Sequence, residues 1–364
     1  LDVLHFRDDS KKLTMEKKYG VTRRSFIGKA TAMGAGLAMP SGIVRASADR
    51  SAALRDICLA TIDVKEFRTV ETTEARMRTV LERLEEVAGM KPDIVCLPEL
   101  FSTVGVKEKR TVRELAEEEG IPGPVSSKIA AFARTNNCYV TCPVYTKTKG
   151  HYYNSVILID RKGSIAGVYH KIHPTKEEIT GMGGSGEARI TPGTFGQAVV
   201  ETDFGRVGVQ LGYDVHWTDS WEDLKKQHVD IILYPSVFSA RRMLRYFAWS
   251  NNCYIVSSTP ELSQIFDVSG NVVDSSSFFV RYAWARVNIE KVNTDTWPTN
   301  YRISAIYRKY GDKVSIKVWG NTEVITIESR DPELNVEDIL KEFDLETVDE
   351  GVERSRIVQE QYRP

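Results

Sequence analysis

Three charged side chains sit in surroundings that could turn them to chemistry. Glu99 follows the apolar run Asp93-Ile-Val-Cys-Leu and Pro98. A strand there would leave its carboxylate at a strand's carboxyl end, where α/β folds place active sites. Lys171 closes Gly167-Val-Tyr-His-Lys171, after a strand predicted over 154–159, a Lys162-Gly163 turn and a second strand. Glu187 lies in Gly186-Glu187-Ala-Arg-Ile-Thr-Pro192-Gly193. Taken singly, each also has an ordinary reading as a solvated carboxylate or a surface ammonium. In one closed pocket the carboxylate would accept a proton and the ammonium would face developing negative charge, which leaves a nucleophile as the missing part of a covalent mechanism.

The elements that must position these residues come in two copies. Asp93-Ile-Val-Cys-Leu-Pro98-Glu-Leu-Phe-Ser102 is echoed by Asp230-Ile-Ile-Leu-Tyr-Pro235-Ser-Val-Phe-Ser239. Thr135-Asn-Asn-Cys-Tyr-Val140 is echoed in the same order by Ser250-Asn-Asn-Cys-Tyr-Ile255. The patterning predicts a helix before each second motif (126–134 and 241–249), a strand opening each half (56–63 and 206–211) and an amphipathic helix after each opening strand (71–88 and 220–227). Strands alternating with helices in duplicate predict an α/β fold, an α-β-β-α sandwich of two mixed sheets with a pseudo-two-fold internal duplication. Segments 313–319 and 323–328 flank Gly320-Asn321 and predict a hairpin. One domain over 49–330 is expected, with 331–364 as a charged tail holding one weak helical pattern at 336–343 and serving as a candidate oligomerisation arm.

The order Pro-Glu99, Tyr169-x-Lys171, Glu187 before Pro192-Gly193, then Val207-Gly-Val-Gln-Leu-Gly212-Tyr-Asp214, resembles the nitrilase superfamily of carbon-nitrogen hydrolases over about residues 55 to 290, with Pro235-Ser236 as a further match. The resemblance implies that Glu99 is the general base, that Lys171 stabilises the tetrahedral oxyanion and that Glu187 positions or assists. It places Tyr213, Asp214 and Ser236 at the substrate. Gly212 occupies the position where the family has its cysteine nucleophile. No cofactor or metal is implied. The expected partner is a small amide or related compound, and a homo-oligomer such as a homodimer is expected. A glycine at a sharp post-strand turn is conformationally the easiest residue, so the change is structurally benign and chemically severe.

With 49 Lys+Arg against 50 Asp+Glu, the chain of 364 residues carries a formal net charge of -1 and has no electrostatic footprint for nucleic acid or an anionic membrane. Cys58, Cys96, Cys138, Cys142 and Cys253 are odd in number and scattered through apolar segments, which reads as buried small hydrophobes; Cys138 and Cys142 could otherwise pair or ligate a metal. Gly181-Met-Gly183-Gly-Ser-Gly186 matches a dinucleotide fingerprint in letters. No strand leads into it and Pro192-Gly193 stands where a helix should run, so a loop over the pocket is expected. His170, His173 and His216 come without a Gly-x-Ser-x-Gly elbow and read as pocket-lining or structural. Trp217 and Trp221 could shape a pocket or pack in the core.

From Met15, a basic stretch leads to Thr22-Arg23-Arg24-Ser25-Phe26-Ile27, a Gly/Ala-rich apolar region and Ala46-Ser47-Ala48. This order resembles a twin-arginine export signal with cleavage after Ala48, so residues 1–48 are read as leader and signal and a periplasmic or otherwise exported protein is expected. A membrane anchor is the competing reading, against which the run is short and broken by Gly34, Gly36 and Pro40. Three functions remain open on sequence: binding of a small amide, nitrile or carbamoyl compound without turnover, hydrolysis by a water that Glu99 orients, and a non-catalytic scaffold. The retained polar residues favour the first.

Overall fold

The computed structural model describes residues 56–64, 69–181, 188–197, 199–320 and 324–364. The first half contributes β1 (Asp56–Ile62), β2 (Ile94–Cys96), β3 (Glu117–Glu118), β4 (Tyr139–Thr148), β5 (His151–Ile159) and β6 (Ile165–His170). The second contributes β7 (Val200–Glu201), β8 (Arg206–Val209), β9 (Ile231–Pro235), β10 (Tyr254–Ser258), β11 (Gln264–Phe266) and β12 (Val272–Ser275). Beyond them lie β13 (Tyr282–Asn288), β14 (Lys291–Asp295), β15 (Val314–Trp319) and β16 (Val324–Ser329).

Two mixed sheets result. The first runs β13-β1-β2-β4-β5-β6 with β3 beside β4, and the second runs β12-β11-β10-β9-β8-β7. Each has a parallel centre, β1-β2-β4 in one and β8-β9-β10 in the other, flanked by antiparallel strands. Leu59, Ile94 and Leu158 from the first sheet share an apolar layer with Val209, Leu233 and Val256 from the second. Helices cover the outer faces: Thr73–Ala88 and Ser126–Asn136 on the first sheet, Thr218–Lys226 and Arg241–Ser250 on the second. The order of layers is therefore helix, sheet, sheet, helix. On the helix Thr73–Ala88 the buried residues Met77, Val80, Leu84 and Val87 recur at three- and four-residue spacing, which gives it one apolar stripe, and Thr72 caps it by accepting from the Ala75 amide at 3.1 Å.

The two halves repeat individual bonds. Asp93 Oδ2 accepts from the Cys58 amide, and Asp230 Oδ2 from the Arg206 amide, both at 2.8 Å. The aspartates' own carbonyls accept from Tyr139 and Tyr254 at 2.8 and 2.9 Å. At the end of the preceding helix in each half, Asn137 and Asn252 have φ of 52° and 50°. Asparagine tolerates that left-handed conformation better than most residues, which explains the shared Asn-Asn-Cys-Tyr.

The expected hairpin is β15 paired antiparallel with β16, and β14 on the far side of β16 completes a three-stranded sheet. Of the segment read as a tail, Val336, Ile339 and Leu340 are buried with Val292, Ile325 and Ile327 of that sheet, on the helix Val336–Glu342. The terminal helix Val348–Tyr362 has no buried residue. The weak helical pattern read at 336–343 is the helix Val336–Glu342, and it looks weak because its three buried apolar residues are diluted by the charges around them. The five cysteines are free and buried.

Candidate functional site

The chain leaves β2 through Leu97, whose amide donates to Thr141 Oγ1 at 2.7 Å, and turns at Pro98, which delivers Glu99 to the carboxyl end of the parallel strands. Lys171 follows β6 directly. Its Nζ donates to Glu99 Oε1 at 2.9 Å, and the two residues are 3% and 2% exposed, so this ion pair is cut off from water. The sequence order of the two motifs therefore does converge in space.

Two partners were not anticipated. Glu178, on the short helix Lys176–Thr180, accepts from the same ammonium at 3.0 and 3.2 Å through its two oxygens. Asn154 of β5, fully buried, donates from Nδ2 to both Glu99 Oε1 and Glu178 Oε1 at 2.9 Å. The signals were present but ambiguous. An asparagine buried in mid-strand, just ahead of the apolar run Val156-Ile-Leu-Ile159, needs a polar partner. The Thr175-x-x-Glu178 spacing reads as a capping box, and it is one: Glu178 Oε2 accepts from the Thr175 amide at 2.7 Å while both carboxylate oxygens also reach Lys171. Tyr145 of β4 borders the cluster; burial, with Glu178 and Glu99 adding to it, pushes its phenol up to about 12.

Burial alone would lower the Lys171 pKa, but the charges of Glu99 and Glu178 and their hydrogen bonds outweigh it and hold the ammonium above the ordinary lysine range. It stays charged at every physiological pH. Two carboxylates on one lysine leave the cluster with an excess negative charge, which an incoming polarised carbonyl carbon or amide N–H could meet.

Gly212 opens the 3-10 turn Gly212–His216 after β8, and its φ is 51°. A Cβ built on it would land against Glu99 Oε2, far inside van der Waals contact, and 3.1 Å from Oε1. Glu99 thus fills the place a side chain at 212 would take. The same oxygen accepts from the Val237 amide at 3.1 Å, which ties the first half of the chain to the loop after β9. The Gly212 carbonyl accepts from Tyr234 Oη at 2.7 Å.

Of the residues placed at a substrate by resemblance, Asp214 is fully buried and spent on structure: it accepts from Tyr169 Oη at 2.8 Å, from the amides of His173 and Leu211 at 2.7 and 3.1 Å, and lies 3.1 Å from His173 Nδ1. Ser236 is buried too, its Oγ accepting from the Phe238 amide at 3.1 Å. Tyr213 is half-buried, its ring 4.8 Å from His216 and 5.0 Å from Trp217. Trp217 lies against His173 with rings 4.4 Å apart and nearly parallel, whereas Trp221 is core, stacked on Phe247 at 4.0 Å. His170 bonds Ser155 Oγ at 2.9 Å and stacks on Tyr153. Glu187 and Met182 to Gly186 of the glycine-rich segment lie outside the described residues.

This arrangement, a buried carboxylate and ammonium with a second carboxylate beside a post-strand turn, can be set beside known proteins. The nitrilase and fragile histidine triad fusion protein of Drosophila melanogaster is 25% identical over 207 residues, 55% of this chain and 44% of that protein. The deaminated glutathione amidase of Mus musculus is 24% identical over 214 residues, 55% of this chain and 65% of the amidase. The chain thus matches less than two thirds of the length of either relative. In structure it is similar to Saccharomyces cerevisiae Nit3, a member of branch 10 of the nitrilase superfamily, with a TM-score of 0.55, 17% identity and coverage of 68% of this chain and 94% of Nit3. The carbon-nitrogen hydrolase family model matches residues 52–282, which include Glu99, Lys171, Glu178 and Gly212, and the chain belongs to that family.

Proposed function

We propose that this protein binds a small amide, nitrile or carbamoyl compound and does not turn it over through a cysteine. The observation that carries the reading is the buried Glu99–Lys171 pair lying directly against Gly212, the position that the motif order aligns with the family's nucleophile. The polar pair is retained at the cost of its desolvation, which a purely structural role would not require. In this reading Lys171 faces the ligand's carbonyl or nitrile, Glu99 accepts from its N–H, Glu187 assists, and Tyr213 lines the entrance. No thiol stands in for the missing one: burial pushes Cys58 up to about 11 and Cys96 and Cys138 up to about 12, and raises Cys142 and Cys253 as well. A water in the nucleophile's place is disfavoured because Glu99 Oε2 already occupies that space.

Calorimetric titration with acetamide, propionamide and acetonitrile, paired with intact-mass measurement and an ammonia assay, tests this. Binding with neither adduct nor ammonia is expected. Ammonia release that Glu99→Gln abolishes would replace the proposal with a water-based hydrolase, and failure of all three compounds to bind would replace it with a scaffold role.

The reading also places the protein outside the cytoplasm, on the strength of Arg23-Arg24 and Ala46-Ser47-Ala48, which lie outside the described residues. Mature protein should begin near Asp49. Changing Arg23-Arg24 to a lysine pair should leave the precursor in the cytoplasm, and fractionation with unchanged export would refute a twin-arginine route.

A further inference from the structure

A band of aromatic rings runs from one side of the buried centre to the other. Phe195 lies 6.0 Å from His173, His173 4.4 Å from Trp217, Trp217 5.0 Å from Tyr213, Tyr213 4.8 Å from His216, and His216 6.1 Å from Phe238. The band joins the centre at three points. His173 is two residues beyond Lys171, Tyr213 follows Gly212, and Phe238 follows Val237, whose amide holds Glu99 Oε2 at 3.1 Å. Its ends are open to solvent, with Phe195 51%, Val237 49% and Phe238 37% exposed.

Tertiary bonds fix this band in place, so it is not a loose collection of surface rings. Asp214 holds both the His173 amide and its Nδ1, and it belongs to the same turn that carries Tyr213 and leads to Trp217. Ser236 Oγ fixes the Phe238 amide. Exposed aromatic surface that is fixed in this way and adjoins a buried polar centre at three points offers a place where the apolar part of a ligand is covered.

The geometry points to a specificity determinant: the ligand carries a planar aromatic substituent that lies on this band while its amide or nitrile head reaches Lys171 and Glu99. This rests on the binding function proposed above. Rings offer offset-stacked and edge contacts to a planar partner that an alkyl chain of one or two carbons cannot reach. A bare short amide would fill only the polar end and leave the band wet.

The test compares propionamide with 3-phenylpropionamide on the same protein by calorimetry. The phenyl compound is expected to bind at least about tenfold more tightly, the scale of burying one ring. Phe238→Ala and Phe195→Ala remove rings at the two solvent-exposed ends of the band, and the ratio of the two affinities should fall toward one in the variant whose end carries the phenyl group; a ratio unchanged in both variants overturns the inference. Circular dichroism would establish that each variant is folded. Equal or weaker binding of the phenyl compound by the wild type overturns the aromatic assignment and leaves the binding function standing. Failure of both compounds to bind overturns both. Sedimentation in which Phe238→Ala changes the oligomeric state, with the affinity ratio intact, would assign the band to contact with a second copy of the chain and overturn the inference.

Discussion

Replacing Gly212 by cysteine is expected to destabilise the protein before it does anything else. The new Cβ meets Glu99 Oε2, an oxygen that cannot simply swing away, because Lys171, Asn154 and the Val237 amide hold the carboxylate from three directions. Overpacking of this kind costs about 1–3 kcal/mol, and a φ of 51° adds about 1–2 kcal/mol for a residue with a Cβ. Gly212→Ala should show the same loss in urea denaturation without the thiol; an alanine variant as stable as the wild type would mean that the close contact with Glu99 is not there. Once folded, the cysteine variant places a thiol between a carboxylate that can take its proton and an ammonium that favours its thiolate. Iodoacetamide should label it stoichiometrically and faster than the five buried native cysteines, and a short activated ester should acylate it. Turnover need not return, since a misplacement of about 1 Å costs about a hundredfold. A folded variant whose new thiol stays inert and acylates with nothing would show that this pocket is not an amidase site.

The second large effect is expected at Lys171. Lys171→Met leaves Glu99, 2% exposed, without its counter-charge and beside the carboxylate of Glu178, and breaking a desolvated pair in this way costs about 3–5 kcal/mol. A double-mutant cycle with Glu99→Gln should recover a good part of that loss, because the uncompensated charge is then gone. A loss below about 1 kcal/mol would mean that water reaches the pair and that the site is open. The wild-type pH dependence follows from the direction of the lysine shift. A cation whose folded pKa is raised contributes stability that is fully present below its unfolded value, about 10.4, and lost only as pH rises through the higher folded value. The Lys171 contribution should therefore be flat from neutral pH to about pH 10 and decline above it, a profile that denaturation at a series of alkaline pH values would measure.

How much of this was legible beforehand differs from residue to residue. The duplicated Asp93–Ser102 and Asp230–Ser239 runs were readable because each encodes the same local device, an aspartate capping the entrance of a parallel strand and a proline ending it. The pairing of Glu99 with Lys171 was readable only from the motif order that the family resemblance supplies; the structure adds that both follow strands, β2 and β6, that run to the same edge. Glu178 was not, since its spacing from Thr175 already has a sufficient local explanation as a cap. Asn154 was hidden in the same way, within a strand whose alternation said nothing about which neighbour would face it.

The sequence by itself determined the alternation of strands and helices, the two copies, the motif order and the absence of a side chain at 212, because each of these is written in residue type and in spacings of two to four. Only the tertiary structure decided what surrounds Glu99. Its partners Asn154, Lys171 and Val237 lie 55, 72 and 138 residues away, and no periodic pattern reaches that far. The strand order of the first sheet brings Asn154 and Lys171 to Glu99, and the packing of the two sheets through the shared layer of Leu59, Ile94, Leu233 and Val256 brings Val237 and the turn at Gly212 against its carboxylate, which stands in the space a side chain at 212 would take.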